Sequence, residues 1–330
     1  MTGSTRWNRR QLFALMGGAL LAGGAATLLA PRFLPRKPLV IASSVWLGYE
    51  LMFLARSEGW LSDPGITLLE TASATASLAA LASGEADGAA LTLDEMLRAR
   101  ATNPALTAIL VFDVSAGADV VLARSGIDSP ADLKGKRIGV EQSALGALML
   151  RKLLDVAGVA KSALTVVPVT IDGHKQAWRE GRVDALITHE PIASILRAEG
   201  GYPIFDSRRI PDTIFDLLVV RTEAIQSTPG PLKQLLSGHF RALHRLHANP
   251  QDVSYRLAKR LGLSATEVLV AYRGVELPNL YQNRRYLGGA HQRVILAAQT
   301  LSAILVEEGL VPRMDDLKGL VNATLLPQEN

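Results

Sequence analysis

The sequence predicts an α/β protein of two like-patterned lobes joined by two extended segments, with a helical C-terminal part. Three observations carry this expectation. From residue 38 onward, short apolar runs alternate with helical patterns, the order that yields a parallel sheet with helices on its faces. The pattern then restarts after Ser125. One short phrase also occurs twice, as "LASGEADGAALTLDE" at 81–95 and "WREGRVDALITHEP" at 178–191. Each runs from a helix end through Gly84 or Gly181 and Asp87 or Asp184 into an apolar strand. Thr92 and Glu95 close the first strand, and Thr188 and Glu190 the second.

The elements follow in order. "LVIAS" (39–43) reads as a strand, and "YELMFLARSEGWL" as an amphipathic helix stopped by Gly59. "GITLLET" is a second strand, "ASLAALASGE" a helix, "DGAALT" a third strand and "LDEMLRARA" a helix. "LTAILVFDV" and "ADVVLARS" are apolar runs split only by "SAG", too short for a helical crossover, so the second runs antiparallel or leaves the sheet. After Ser129, a plausible N-cap, come the strand "RIGVE", the helix "ALGALMLRKLLDVAG" and the strand "LTVVPVT". The helix "HKQAWREG", the strand "VDALITHE" and a helix opened by Pro191 complete the unit. "YPIFDS" and "DTIFDLLVVR" then return the chain through a second extended segment, and residues 229–330 read as helical.

The 330 residues exceed one core of typical size, and 48% apolar with 20% charged side chains describe a folded protein. The formal charge of +4 comes from the front. Residues 1–37 hold six of the 35 basic residues and none of the 31 acidic ones, leaving 29 against 31 in the body. A nucleic-acid partner thereby loses its electrostatic support. The front itself has the layout of a targeting segment: "RWNRR", then the apolar "QLFALMGGALLAGGAATLLA", then "PRFLPRK". Arg9 and Arg10 before Gln11, Leu12 and Phe13 resemble a twin-arginine export signal. Retention as an anchor in the inner membrane is the other reading, because the run is long enough for a bilayer core of roughly 30 Å. The chain has no cysteine, which excludes disulfides, thiolate metal sites and a cysteine nucleophile.

Ligands of open parallel sheets bind beyond the carboxyl ends of the strands, where helix N-termini offer unpaired N–H groups. Six loops qualify: "SSVWLGYE", "TLDE", "FDVSAG", "EQSALG", "TIDGH" and "THEP". In the first, Trp46 and Tyr49 flank Gly48 and either stack on a ligand or cover the end of the core. The six carry Glu50, Asp94, Asp113, Glu141, Asp172 and Glu190 and no Lys or Arg, which suits an amine-containing or zwitterionic solute better than a bare anion. Asp94 and Asp172 also suit helix capping without any ligand. His244 and His247 share a helix face with no further metal ligand nearby in sequence, so they read as a solvated face.

The stretches "VWLGYELMFLARSEGWL", "LASGEADGA", "DLKGKRIGVEQSALGALML" and "REGRVDALITHEPIA" resemble the NMT1/thiamine-precursor and nitrate/sulfonate/taurine-type family of substrate-binding proteins of ABC transporters. The likeness runs from residue 38 to about 325. It implies the type II periplasmic-binding-protein fold, with lobe I over 38–120 and 218–330, lobe II over 121–217, and 1–37 as export signal or anchor. It also implies ligand contacts from Trp46, Gly48, Tyr49, Glu50, Thr92, Glu141, Ser143, Ala144, His189 and Glu190, to which the loop reading adds Asp113. The expected function is capture of a small organic solute in an interlobe cleft and delivery to an ABC permease, by a monomer in the periplasm without cofactor or metal. Members bind nitrate, bicarbonate, sulfonates, taurine or pyrimidine precursors, so the solute stays open. A thiamine-pyrimidine-synthase-like enzyme of the same fold is one alternative, weakened by the missing cysteines. A sensory receptor for a membrane signalling partner is the other.

Overall fold

The computed structural model describes residues 37–61, 65–103, 105–288 and 293–328. The expected export signal or anchor, residues 1–37 with the twin arginines, lies outside the described residues except for Lys37. No helix among the described residues is long and apolar enough to cross a membrane.

The chain alternates as the patterning dictates. Strand β1 (Leu39–Ser43), helix α1 (Glu50–Ser57), β2 (Ile66–Glu70), α2 (Ala74–Ser83), β3 (Gly88–Thr92), α3 (Leu93–Thr102) and β4 (Leu106–Ser115) build most of the first sheet. Residues 116–118 then carry the chain to a second sheet. There follow β5 (Asp119–Ala123), β6 (Arg137–Val140), α4 (Ala144–Ala157), β7 (Thr165–Pro168), α5 (His174–Arg179), β8 (Ala185–His189), α6 (Ile192–Ala198) and β9 (Tyr202–Asp206). Residues 207–214 lead back to β10 (Phe215–Arg221) in the first sheet. The sheets thus place Asp119 and Val120 in the second lobe and Phe215, Asp216 and Leu217 in the first, which corrects the expected bounds of 120/121 and 217/218 by two to three residues, because each crossing strand joins its new sheet as soon as it finds a partner to pair with. The rest is α7 (Ala224–Ser227), α8 (Pro229–Ala248), α9 (Pro250–Leu261), α10 (Ala265–Ala271), the two-residue β11 (Val275–Glu276), α11 (Leu280–Leu287) and α12 (Arg293–Glu307). The sheet orders are β11-β4-β10-β3-β1-β2 and β7-β6-β8-β5-β9. Strands β1, β2 and β3 run parallel, as do β6, β7 and β8, whereas β10 and β5 are antiparallel to their neighbours. Two α/β lobes, two crossings and a helical C-terminal part are thus present.

The repeated phrase is an architectural device. Gly84 and Gly181 adopt φ of 81° and 68°, the left-handed conformation that glycine enters without a Cβ penalty, and end α2 and α5's turn. The Asp three residues on then clamps the neighbouring parallel strand. Asp87 Oδ2 accepts from Val40 N at 2.9 Å, and Asp184 Oδ2 from Arg137 N at 2.8 Å. Each aspartate's own N–H returns a bond of 2.8 Å to the carbonyl of that same partner. Both corners therefore lie at the strands' N-terminal ends, opposite the end where ligands bind.

Helix α11, "LYQNRRYL", is half polar, with no long apolar face to anchor it. It is held instead by its ends and by one buried amide. Asn279 caps its N-terminus by accepting from Gln282 N at 2.9 Å. Asn283 reaches into β4, accepting from Val111 N at 2.7 Å and donating to Val111 O at 3.1 Å. The main apolar core is continuous through both lobes, from Leu39 and Ile41 in β1 to Ile138 in β6 and Leu153 in α4.

Candidate functional site

A cavity of about 310 Å³ opens where the carboxyl ends of the two sheets face each other. From the first lobe it is lined by Ser44, Val45, Trp46 and Tyr49 of the β1–α1 loop, by Ser73 at the start of α2, and by Thr92, Glu95 and Asp216. The second lobe supplies Asp119, Glu141, Leu145, Asp172, Lys175, His189 and Ile192.

Strand register builds its walls. Asp216 of β10 lies opposite Thr92 of β3 on one side and Asp113 of β4 on the other. Directly opposed residues in antiparallel strands point to the same face, so the three form a row across the first sheet. In the second sheet Asp119 of β5 lies opposite His189 of β8. The β1–α1 loop is then drawn onto the first row. Trp46 donates through Nε1 to Asp113 Oδ2 at 2.8 Å, and the Tyr49 hydroxyl donates to Asp216 Oδ1. Trp46 also meets the His189 ring edge-on at 5.3 Å, joining one lobe to the other. Glu95 turns its Oε2 back to accept from Thr92 N at 2.9 Å, a capping interaction at the start of α3.

Among the described residues, these carboxyls have no Lys or Arg partner. Elsewhere the fold pairs its buried acids with arginine: Glu50 with Arg260 at 2.6 Å and Glu190 with Arg197 at 2.5 Å. No described Lys or Arg forms an ion pair with Glu95, Asp113, Asp119 or Asp216. Burial therefore dominates their protonation, since a carboxylate out of water is costly. It pushes Glu95 and Asp113 up to about 8 and Asp94 to about 6, and raises Asp119 and Asp216 in the same direction. Asp113 Oδ1, Asp119 Oδ2 and Asp216 Oδ2 have no hydrogen-bond partner.

Of the expected site residues, Trp46, Tyr49, Thr92, Glu141 and His189 line the cavity; six others do not. Glu50 points away and is buried against Arg260. Glu190 turns back into α6, accepting from Ser194 N at 3.0 Å and pairing with Arg197. Asp113 sits behind Trp46, and Gly48 makes room for it: a Cβ there would lie 1.9 Å from Asp113 Oδ2. Ser143 caps α4 by accepting from Gly146 N at 3.1 Å, and Ala144 is buried beneath it. Asp172, which suited a cap, reaches the cavity. Gly48→Ala is accordingly expected to destabilise the fold by about 1–3 kcal/mol through overpacking, measured by urea unfolding.

Asp119, Asp216, Glu95 and Lys175 were not expected here. The first two lie in the crossing strands, which read as connectors. Their signal was a lone Asp inside an apolar strand, in "ADVVLA" and "IFDLLVV", with no basic residue to neutralise it. Lys175 was missed because it follows the loop, one residue into α5.

The two-lobe architecture recurs in known proteins. The alkanesulfonate-binding protein SsuA of Xanthomonas axonopodis pv. citri, bound to MOPS, superposes with a TM-score of 0.71 at 20% identity, over 87% of this chain and 99% of that one. The desulfurization enzyme DSZB superposes with a TM-score of 0.64 at 17% identity, over 87% and 97%. At such identities the likeness is one of fold, the periplasmic-binding-protein fold. In sequence, a protein named as a binding protein in Brucella abortus (strain 2308) is 27% identical over 138 residues, 41% of this chain. The match spans 43% of that relative's length. The family model described as "NMT1/THI5 like" matches residues 49–253, from Tyr49 in the cavity wall through both crossings into α9, and the chain belongs to the NMT1/THI5-like family.

Proposed function

We propose that this protein is an extracytoplasmic solute-binding protein that captures a small organic solute between its lobes and delivers it to an ABC permease. One observation carries the reading: both lobes contribute side chains to a single cavity at the carboxyl ends of both sheets, bridged by the Trp46–His189 contact. A ligand held there favours the closed arrangement by contacting both walls, and closure is what a permease can read. The 310 Å³ volume fits a metabolite rather than a peptide or polymer. The surplus of carboxylates supports an amine-containing or zwitterionic solute. Export through the segment before residue 38, by cleavage or as an anchor, belongs to the same reading.

An enzymatic role finds less support. The chain has no cysteine, and in the cavity Asp216 is engaged by the Tyr49 hydroxyl and Glu95 by the Thr92 backbone N–H. A thermal-shift screen of amines, sulfonates and thiamine pyrimidines tests the proposal, since a ligand specific to the native state must raise its stability. The expected result is a class of stabilising solutes recovered unchanged after incubation, with X-ray scattering showing compaction on binding. A hit that is chemically converted, or that binds without compaction, would overturn it.

A further inference from the structure

We infer that the solute's protonated nitrogen is seated against Asp216, Glu95 and Asp119, and that it enters in exchange for a proton held among the buried carboxyls. This rests on the solute-binding reading and specifies its chemistry. The arrangement of Asp113 and Asp216 is the starting point. They are cross-strand partners on one face, with no cation between them. Each commits one oxygen to a fixed donor: Asp113 Oδ2 to the Trp46 indole and Asp216 Oδ1 to the Tyr49 hydroxyl. The other oxygens, Asp113 Oδ1 and Asp216 Oδ2, have no partner. Two carboxylates so placed cannot both ionise cheaply without a cation, so the pair keeps a proton.

Asp216 is 2% exposed yet lines the cavity, whereas Asp113 does not. Asp119, 3% exposed, brings a second unpartnered oxygen to the opposite wall. Five carboxylates line the cavity against Lys175 alone among Lys and Arg. Lys175 is half-exposed, so the buried end is uniformly acidic. A cationic group there would supply the charge that arginine supplies to Glu50 and Glu190. A sulfonate or carboxylate brings no charge that could stabilise the ionised form of these carboxyls, and it meets like charge once they ionise.

Exchange has a definite sign. Carboxyls with raised pKa hold protons at neutral pH, and a bound cation favours the ionised form, so cation binding expels protons. Affinity then rises with pH up to about 8, the position of Glu95 and Asp113. The slope approaches tenfold per pH unit for each proton released, about 1.4 kcal/mol. The groups facing Asp216 are Tyr49 from the start of α1, Asp113 from β4, Glu95 from α3 and Asp119 from β5. His189 stands opposite Asp119, so its contribution must be separated from theirs.

The test is calorimetry and thermal shift on the purified chain at pH 6, 7 and 8, with n-butylammonium, benzylammonium and benzamidinium against n-butanesulfonate and benzenesulfonate. The cations are expected to stabilise the protein, increasingly toward pH 8, with proton release seen as a dependence of binding heat on the buffer's ionisation enthalpy. Asp216→Asn and Glu95→Gln should each flatten the pH dependence and weaken cation binding at least tenfold, while His189→Gln retains the slope. Stabilisation by the sulfonates alone would leave the solute-binding reading standing and overturn this inference. So would cation binding without proton release, or a pH dependence that vanishes only in His189→Gln. Stabilisation by neither class would count against both.

Discussion

Arg260→Met is expected to destabilise the folded chain by about 3–5 kcal/mol at pH 8, because it leaves the Glu50 carboxylate buried without a countercharge. Glu50 is fully buried and is met by Arg260 Nε at 2.6 Å and Nη2 at 3.2 Å, while Arg260 stacks over Phe53 at 3.7 Å. Methionine keeps much of that packing, so the loss reports charge. Burial already raises the Glu50 pKa in spite of Arg260, and removing Arg260 raises it further. A carboxyl whose folded pKa exceeds its unfolded value destabilises the fold as pH rises through that interval. The deficit should therefore shrink as pH falls from 8 toward 5. Denaturant titrations at the two pH values measure this, and the double variant Arg260→Met/Glu50→Gln should recover most of the loss. A deficit independent of pH, or one that Glu50→Gln does not relieve, would show that packing on Phe53 is what Arg260 provides.

Trp46→Ala is expected to cost about 3–5 kcal/mol of stability and at least tenfold in solute affinity. The side chain is 6% exposed, closes over Asp113 by its Nε1 bond, and carries the edge-on contact to His189 in the other lobe. Its loss opens a void, strips a buried carboxyl of a donor and removes a cavity wall. Trp46→Phe separates these effects. It keeps an aromatic face but no N–H, so most of the affinity should survive while Asp113 loses its donor, a loss of about 1–3 kcal/mol. If Trp46→Ala leaves affinity unchanged in a folded protein, the ring covers the core and does nothing more.

The expected site was legible where chemistry and local pattern coincide. Trp46 and Tyr49 stand between an apolar strand and an apolar helix with no face of their own to join, and both reach the cavity. Glu141 and His189 follow their strands directly and do likewise. Glu50 and Glu190 follow the same local rule and do not, because Arg260 and Arg197 turn each away from the cavity. Arg260 is 210 residues from Glu50, a separation across which no loop pattern can be read.

The sequence by itself determined the two α/β lobes, the two extended segments that join them, the paired Gly–Asp corners and the absence of thiol chemistry. All of these rest on periodicity, turn residues and composition, which are local properties of the chain. Only the tertiary structure decided which carboxylates are neutralised and which are left open to a ligand. Asp113 and Asp216 are separated by a whole lobe along the chain and become neighbours through the register of β4 and β10. Electrostatics in a buried site depends on which charges come within a few ångströms and how far water is excluded, and both are properties of the packed fold.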